Sequence, residues 1–93
     1  MTKKAFDDVW DAIEPDAGLA QNLRLRSALM MKIAEYVEQS GLTQAEAARR
    51  LGTTQPRLND VIKGRIEKCT VDRLINMLSR AGFKVDLEVH RAA

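Results

Sequence analysis

The chain of 93 residues predicts a small, mostly α-helical single domain closed by one C-terminal β-strand. Three observations lead there. Apolar residues recur at helical spacing over most of the length, and cap signals break that periodicity into short pieces. Aromatic residues make up only 4% while hydrophobic residues make up 45%. The core must therefore come from Leu, Ile, Val, Met and Ala, a helix-forming vocabulary. Only residues 83–90 change period, alternating apolar and polar as a half-buried strand does.

The elements follow in order. Phe6, Val9, Trp10 and Ile13 stand at i, i+3, i+4, i+7 and predict a short amphipathic helix, ended by Glu14-Pro15 because the residue before proline leaves helical geometry. A second helix opens at Pro15 or Asp16 and runs to about Gln39. Its stripe is Leu19, Leu23, Met30, Ile33 and Val37, flanked by Leu25, Leu29 and Tyr36; Gly18 weakens the first turn and Ser40-Gly41 stops the helix. Thr43 and Glu46 then form a capping box for a short helix ending at Leu51-Gly52. Thr53 or Thr54 caps the next, with Pro56 in its first turn, Leu58, Val61 and Ile62 apolar, and Gly64 at its end. Thr70 caps a last helix striped by Val71, Leu74, Ile75 and Leu78, with Asp72 early and Arg80 late to suit the helix dipole. The alternating Phe83, Val85, Leu87 and Val89 are expected to form a strand with nothing to pair with inside the chain, so a second copy is expected to supply its partner. Three regions result: an acidic N-terminal extension (1–14), a helical body (15–82) and a dimerisation strand with its tail (83–93).

Charge is distributed unevenly. The net charge of +2 is too mild to imply a polyanionic partner by itself. Lys3 and Lys4 stand against Asp7, Asp8, Asp11, Glu14 and Asp16, so the start is acidic and the rest of the chain basic. Residues 43–68 carry Arg49, Arg50, Arg57, Lys63, Arg65 and Lys68 against Glu46, Asp60 and Glu67. Asp60 is positioned to pair with either Arg57 or Arg65. Arg49 and Arg50 read as a solvated helix face, and Trp10 and Phe6 as packing for the first helix.

Two short capped helices joined by a glycine turn, with small Ala47 and Ala48 allowing a close crossing, have the geometry of a helix-turn-helix. The polar residues suit that motif. Gln44, at a helix N-terminus, can meet a phosphate through its side chain and a free amide. Thr53, Thr54, Gln55, Arg57 and Asn59 place hydrogen-bonding groups at the start of the second helix, where Gln and Asn match adenine and Arg matches guanine. Lys63, Arg65 and Lys68 are placed for backbone phosphates. The site expected is thus Gln44, Thr53, Thr54, Gln55, Arg57, Asn59, Lys63 and Arg65, with double-stranded DNA as the partner.

Leu42-Thr43-Gln44-Ala45-Glu46-Ala47-Ala48 followed by Leu51-Gly52-Thr53-Thr54-Gln55 closely resembles the XRE (Cro/C1-type) repressor family. Gln55-Pro56-Arg57, Lys63-Gly64, Val71-Asp72-Arg73-Leu74 and Met77-Leu78 to Gly82 are similar to its HigA-like antitoxin subgroup. The resemblance spans roughly residues 15–90. It implies a lambda-repressor-like helix-turn-helix bundle with one C-terminal strand, a phosphate contact at Gln44 and a base-reading Gln55. It also implies a homodimeric repressor that neutralises a RelE-type or HigB-type toxin. Asn59 stands where Ser is common in the subgroup, and Cys69 where an aromatic is common. A stand-alone repressor, or an interaction module that has lost DNA binding, are the alternatives.

Other classes have little support. No nucleophile–base pair, paired carboxylates or phosphate-cradling glycine loop stands out, so neither catalysis nor a cofactor is expected. Cys69 reads as a packed residue, and His90 has no ligand-spaced companions, so no metal is expected. No stretch approaches the roughly 18 apolar residues of a membrane span. The N-terminus also lacks an apolar signal core, and a cytoplasmic location is expected.

Overall fold

A computed structural model describes residues 16–91. Four α-helices are found there: α1 (Ala17–Ser40), α2 (Gln44–Arg50), α3 (Gln55–Ile62) and α4 (Val71–Arg80), with a single 3₁₀ turn (Ile66–Lys68) between the last two. The helix expected over residues 6–13 lies outside the described residues.

Each start is fixed by a side chain that accepts from a backbone N–H left over at the helix end. Asp16 accepts from the Leu19 amide, Thr43 from Glu46, Thr54 from Arg57 and Thr70 from Arg73. The choice left open between Thr53 and Thr54 therefore falls to Thr54. Gly41 ends α1 at φ 70°, a left-handed conformation that a side chain would strain.

The helices close on one core. α1 packs most extensively against α4 and next against α3, while α2 and α3 cross each other at the corner. Ile33, Leu51, Leu58, Leu74 and Leu78 are fully buried at the centre, joined by Met30, Ala47, Ala48, Val61, Cys69 and Met77. Burying one such Leu or Ile removes about 1.5–3 kcal/mol worth of apolar surface from water. Of the stripe expected on α1, Met30 and Ile33 are buried and Val37 packs against the cluster, but Leu19 faces solvent, as does Leu25 beside the stripe. Ala20 is buried in the first turn instead. Cys69 is a packed core residue whose thiol donates to the Arg65 carbonyl at 3.4 Å. Burial pushes that thiol's pKa up, and the nearby charges of Asp60 and Glu67 add to the shift.

The C-terminal strand is not formed. Residues 83–91 follow α4 without strand structure, and no sheet exists among the described residues. The expectation placed Phe83, Val85, Leu87 and Val89 on one face lying against the helices. Only Phe83 packs inward. Its ring meets Tyr36 edge-on at 5.7 Å, Lys32 sits 5.6 Å above it, and its amide bonds to the Leu78 carbonyl at 3.0 Å. Val85, Leu87 and Val89 are exposed. The physical reason is that alternation only permits a strand; the ladder needs a neighbour with free amides and carbonyls, and this chain spends its own inside helices.

Core and tail should therefore respond oppositely to truncation. Leu74→Ala is expected to lower unfolding free energy in urea by about 2–5 kcal/mol, as for a fully buried leucine. Leu87→Ala, at a position 85% exposed, should stay within about 0.5 kcal/mol of the parent. A large loss at Leu87 would mean that the tail is packed.

Candidate nucleic-acid interface

The turn between α2 and α3 is built by the backbone. The Leu51 amide returns to the Ala47 carbonyl at 2.9 Å, Gly52 to Arg49 at 3.1 Å and Thr53 to Ala48 at 2.9 Å. Gly52 lies at φ 67°, reversing the chain within one residue. Ala47 and Ala48 are both buried in the core that the two helices share. This is the corner expected from the alanine pair and the glycine.

The capping box at α2 closes as the sequence indicated. The Thr43 hydroxyl donates to the Glu46 carboxylate at 2.8 Å and accepts from the Glu46 amide at 3.2 Å, while the Thr43 amide reaches the same carboxylate at 3.3 Å. The hydroxyl and then the amide of Thr43 hold the Glu46 carboxyl below its ordinary pKa, with Arg49 and Arg50 adding to the effect.

Gln44 and Gln55 come together at the N-terminal ends of α2 and α3. The Gln55 side-chain amide donates to the Gln44 carbonyl oxygen at 3.5 Å, a long bond at an exposed position. One amide thus steadies the other while their remaining polar atoms stay open. Thr54, Gln55 and Arg57 are exposed on the first turn of α3; Thr53 and Asn59 are half-buried. Pro56 within that turn costs nothing, since its missing N–H would have had no helical partner.

The basic residues on α3 and just past it divide into two kinds. Arg65 donates to Asp60 at 3.0 Å, which settles Asp60's choice in favour of Arg65 over Arg57. A phosphate at Arg65 must compete with that ion pair. Arg57 and Lys63 are exposed and have no carboxylate partner among the described residues.

One positioning residue was not foreseen. Arg26, on α1, donates to the Ile66 carbonyl at 3.1 Å and more weakly to Cys69 at 3.5 Å. It ties the segment leaving α3 to the long helix. Its local bond to Asn22, one turn back on the helix, does not announce this role; the two carbonyls it ties down lie some forty residues away. Among the described residues no group of His, Cys, Asp or Glu is arranged to hold a metal ion, and no helix is long and apolar enough to cross a membrane.

This geometry, two short helices crossing over alanines with a polar N-terminal edge, defines a helix-turn-helix. Residues 14–90 match the model of the family described as Helix-turn-helix domain. The chain belongs to that family, a DNA-binding class of domain. No curated protein matches it.

The cap makes a pH-dependent statement. Because the Glu46 carboxyl is held low in the fold, its contribution is present above the ordinary value of 4.5 and is lost as pH falls through the lower folded value. In Thr43→Ala the Glu46 titration followed by NMR should move up toward 4.5. An unmoved titration would show that the threonine does not hold the carboxylate.

Proposed function

We propose that the protein is a sequence-specific DNA-binding repressor without enzymatic activity, acting as a homodimer on an operator and serving as the antitoxin of a toxin–antitoxin pair. The observation that carries the DNA reading is the pairing of Gln44 and Gln55 at the exposed ends of α2 and α3, beside the unpaired Arg57 and Lys63. With α3 in the major groove, the Gln44 side chain and the free amides of α2 meet a phosphate. Gln55 then faces a base edge with an orientation set by its neighbour, and Arg57 has the fork that suits guanine. Thr53 and Thr54 stand at the same end of α3, Asn59 follows Gln55 by one turn, and Lys63 and Arg65 lie beyond its far end.

The homodimer follows from operator geometry. An eight-residue α3 is about 12 Å long and reads only part of one groove. Two half-sites spaced by about 34 Å restore specificity. The antitoxin role rests on the resemblance to the HigA-like subgroup, and the acidic residues 1–14 have the charge to face a basic toxin.

The DNA reading is tested on an operator selected from a random duplex pool. Arg57→Ala should weaken specific binding by about 1–3 kcal/mol. Lys63→Ala should weaken all sequences evenly and make the salt slope shallower by about one unit. Both variants matching the parent would remove α3 from the groove.

The partner reading is tested separately. A small basic protein encoded beside this chain should co-purify with it and lose its toxicity on co-expression. Deletion of residues 1–14 should weaken that protection and leave DNA binding unchanged. A toxic neighbour that is not neutralised would leave a stand-alone repressor.

A further inference from the structure

A shallow groove runs along one flank of α1, opposite the far end of α3. Ser27, Met31 and Ala34 form its α1 side, and Ile62, Gly64 and Ile66 form the other. Met31 is 61% exposed and Ile62 39%, so apolar surface here is open to contact. Single exposed apolar residues need no explanation, but a contiguous set lining a concavity marks a place where something packs.

The row continues toward the start of α1. Ala20, Leu23, Ser27, Met31 and Ala34 recur at i, i+3, i+7, i+11 and i+14, the spacing of one helix face. It is not the face that enters the core. The core line passes through Met30, Ile33 and Val37, and Ala20 stands about 100° round the axis from it. Ala20 is nevertheless only 1% exposed, although it does not belong to the core cluster. Burial at a point the core does not reach calls for cover from elsewhere in the chain. Ala20, Ser27 and Ala34 are also small, which lets a second helix axis approach closely.

Chain direction and length point to the occupant. Asp16 caps α1, so the residues before it enter at the Ala20 end of this row. They carry a matching row of their own in Phe6, Val9, Trp10 and Ile13. Glu14-Pro15 supplies a connection of the length that antiparallel helix pairs use, about 2–5 residues. Ile13 back to Phe6 and Ala20 on to Ser27 both span two turns, about 10 Å of helix, so the two rows are in step. Charge agrees as well: half-buried Arg24 stands on the same flank, and Asp7 and Glu14 border the segment's apolar row.

We propose that the N-terminal segment of this same chain folds back on α1 as an amphipathic helix. Ile13 then lies beside Ala20, Val9 and Trp10 follow along Leu23, and Phe6 enters the groove between Met31 and Ile62. With that row turned inward, Asp8 and Asp11 stand on the opposite side and face solvent. The acidic face becomes a fixed part of the protein's surface, held at a set angle to the body. Its use against a basic toxin rests on the partner reading given above; the docking itself does not.

Trp10 is the single tryptophan of the chain, so its fluorescence reports on this segment alone. In the full chain its emission should lie to the blue of the same chain in urea, and acrylamide should quench it less. Met31→Asp places a charge at an exposed position of the groove, and Phe6→Ser removes the inserted ring without touching the helical body. Each should shift Trp10 emission to the red and open it to acrylamide, while urea unfolding of the body stays cooperative. Leu25→Asp, exposed on the other side of α1, should change neither reading. Solvent-like emission in the parent would overturn the docking, as would shielding that Phe6→Ser or a folded Met31→Asp leaves intact. Shielding that the parent loses on dilution would assign the groove to the segment of a second copy and overturn it as well. None of these measurements uses DNA or a toxin, so failure here is separate from failure of the proposed function.

Discussion

Helices of seven and eight residues do not hold themselves in water, and the whole binding surface of this protein is carried on two of them. What fixes them is the close crossing beside Ala47 and Ala48, both buried in the shared core. Leu51 and Leu58 anchor the crossing from either side, and Ile33 and Leu74 close it from α1 and α4. A larger side chain at either alanine would part the helices and rotate Gln44 away from Gln55. The polar edge is therefore set by packing behind it, not by contacts within it.

The carboxylates are used locally. Glu46 is spent on the cap of α2, Asp60 on Arg65 and Glu35 on Lys32. Each neutralises a neighbour or satisfies a helix end, and none pairs with Arg57 at α3's exposed start. The positive field there survives although the chain as a whole is nearly neutral, with a net charge of only +2. Net charge concealed this arrangement; only the pairing pattern exposes it.

Much of the architecture was legible because it is written in local chemistry. Thr43-Glu46, Thr54 and Thr70 each declare a helix start through an oxygen placed three residues before a free amide, and Gly41 and Gly52 declare reversals through positive φ. The polar end of α3 could be read for the same reason, since consecutive residues at a helix start share one edge. What escaped the sequence is non-local. Arg26 bonds to carbonyls of a distant segment, and Arg80 lies across Gly52. The strand failed for a related reason. Phe83 to Val89 have the right period, but pairing is a property of two segments, and the described residues hold no second one.

Phe83 also explains why the tail departs where it does. Its ring fills the end of the α1–α4 seam against Tyr36, and its amide takes a carbonyl at the end of α4. That contact uses the last large apolar side chain that the body can cover. Beyond it, Val85, Leu87 and Val89 alternate with Lys84, Asp86 and Glu88, and the core offers them no further surface. The boundary between body and tail is thus an energetic one, drawn by where burial ends. The same boundary separates the roles of the polar residues. Those inside it that bond to backbone or to each other build the scaffold, and those left without a partner, Arg57 and Lys63 above all, remain open to ligands from outside the chain.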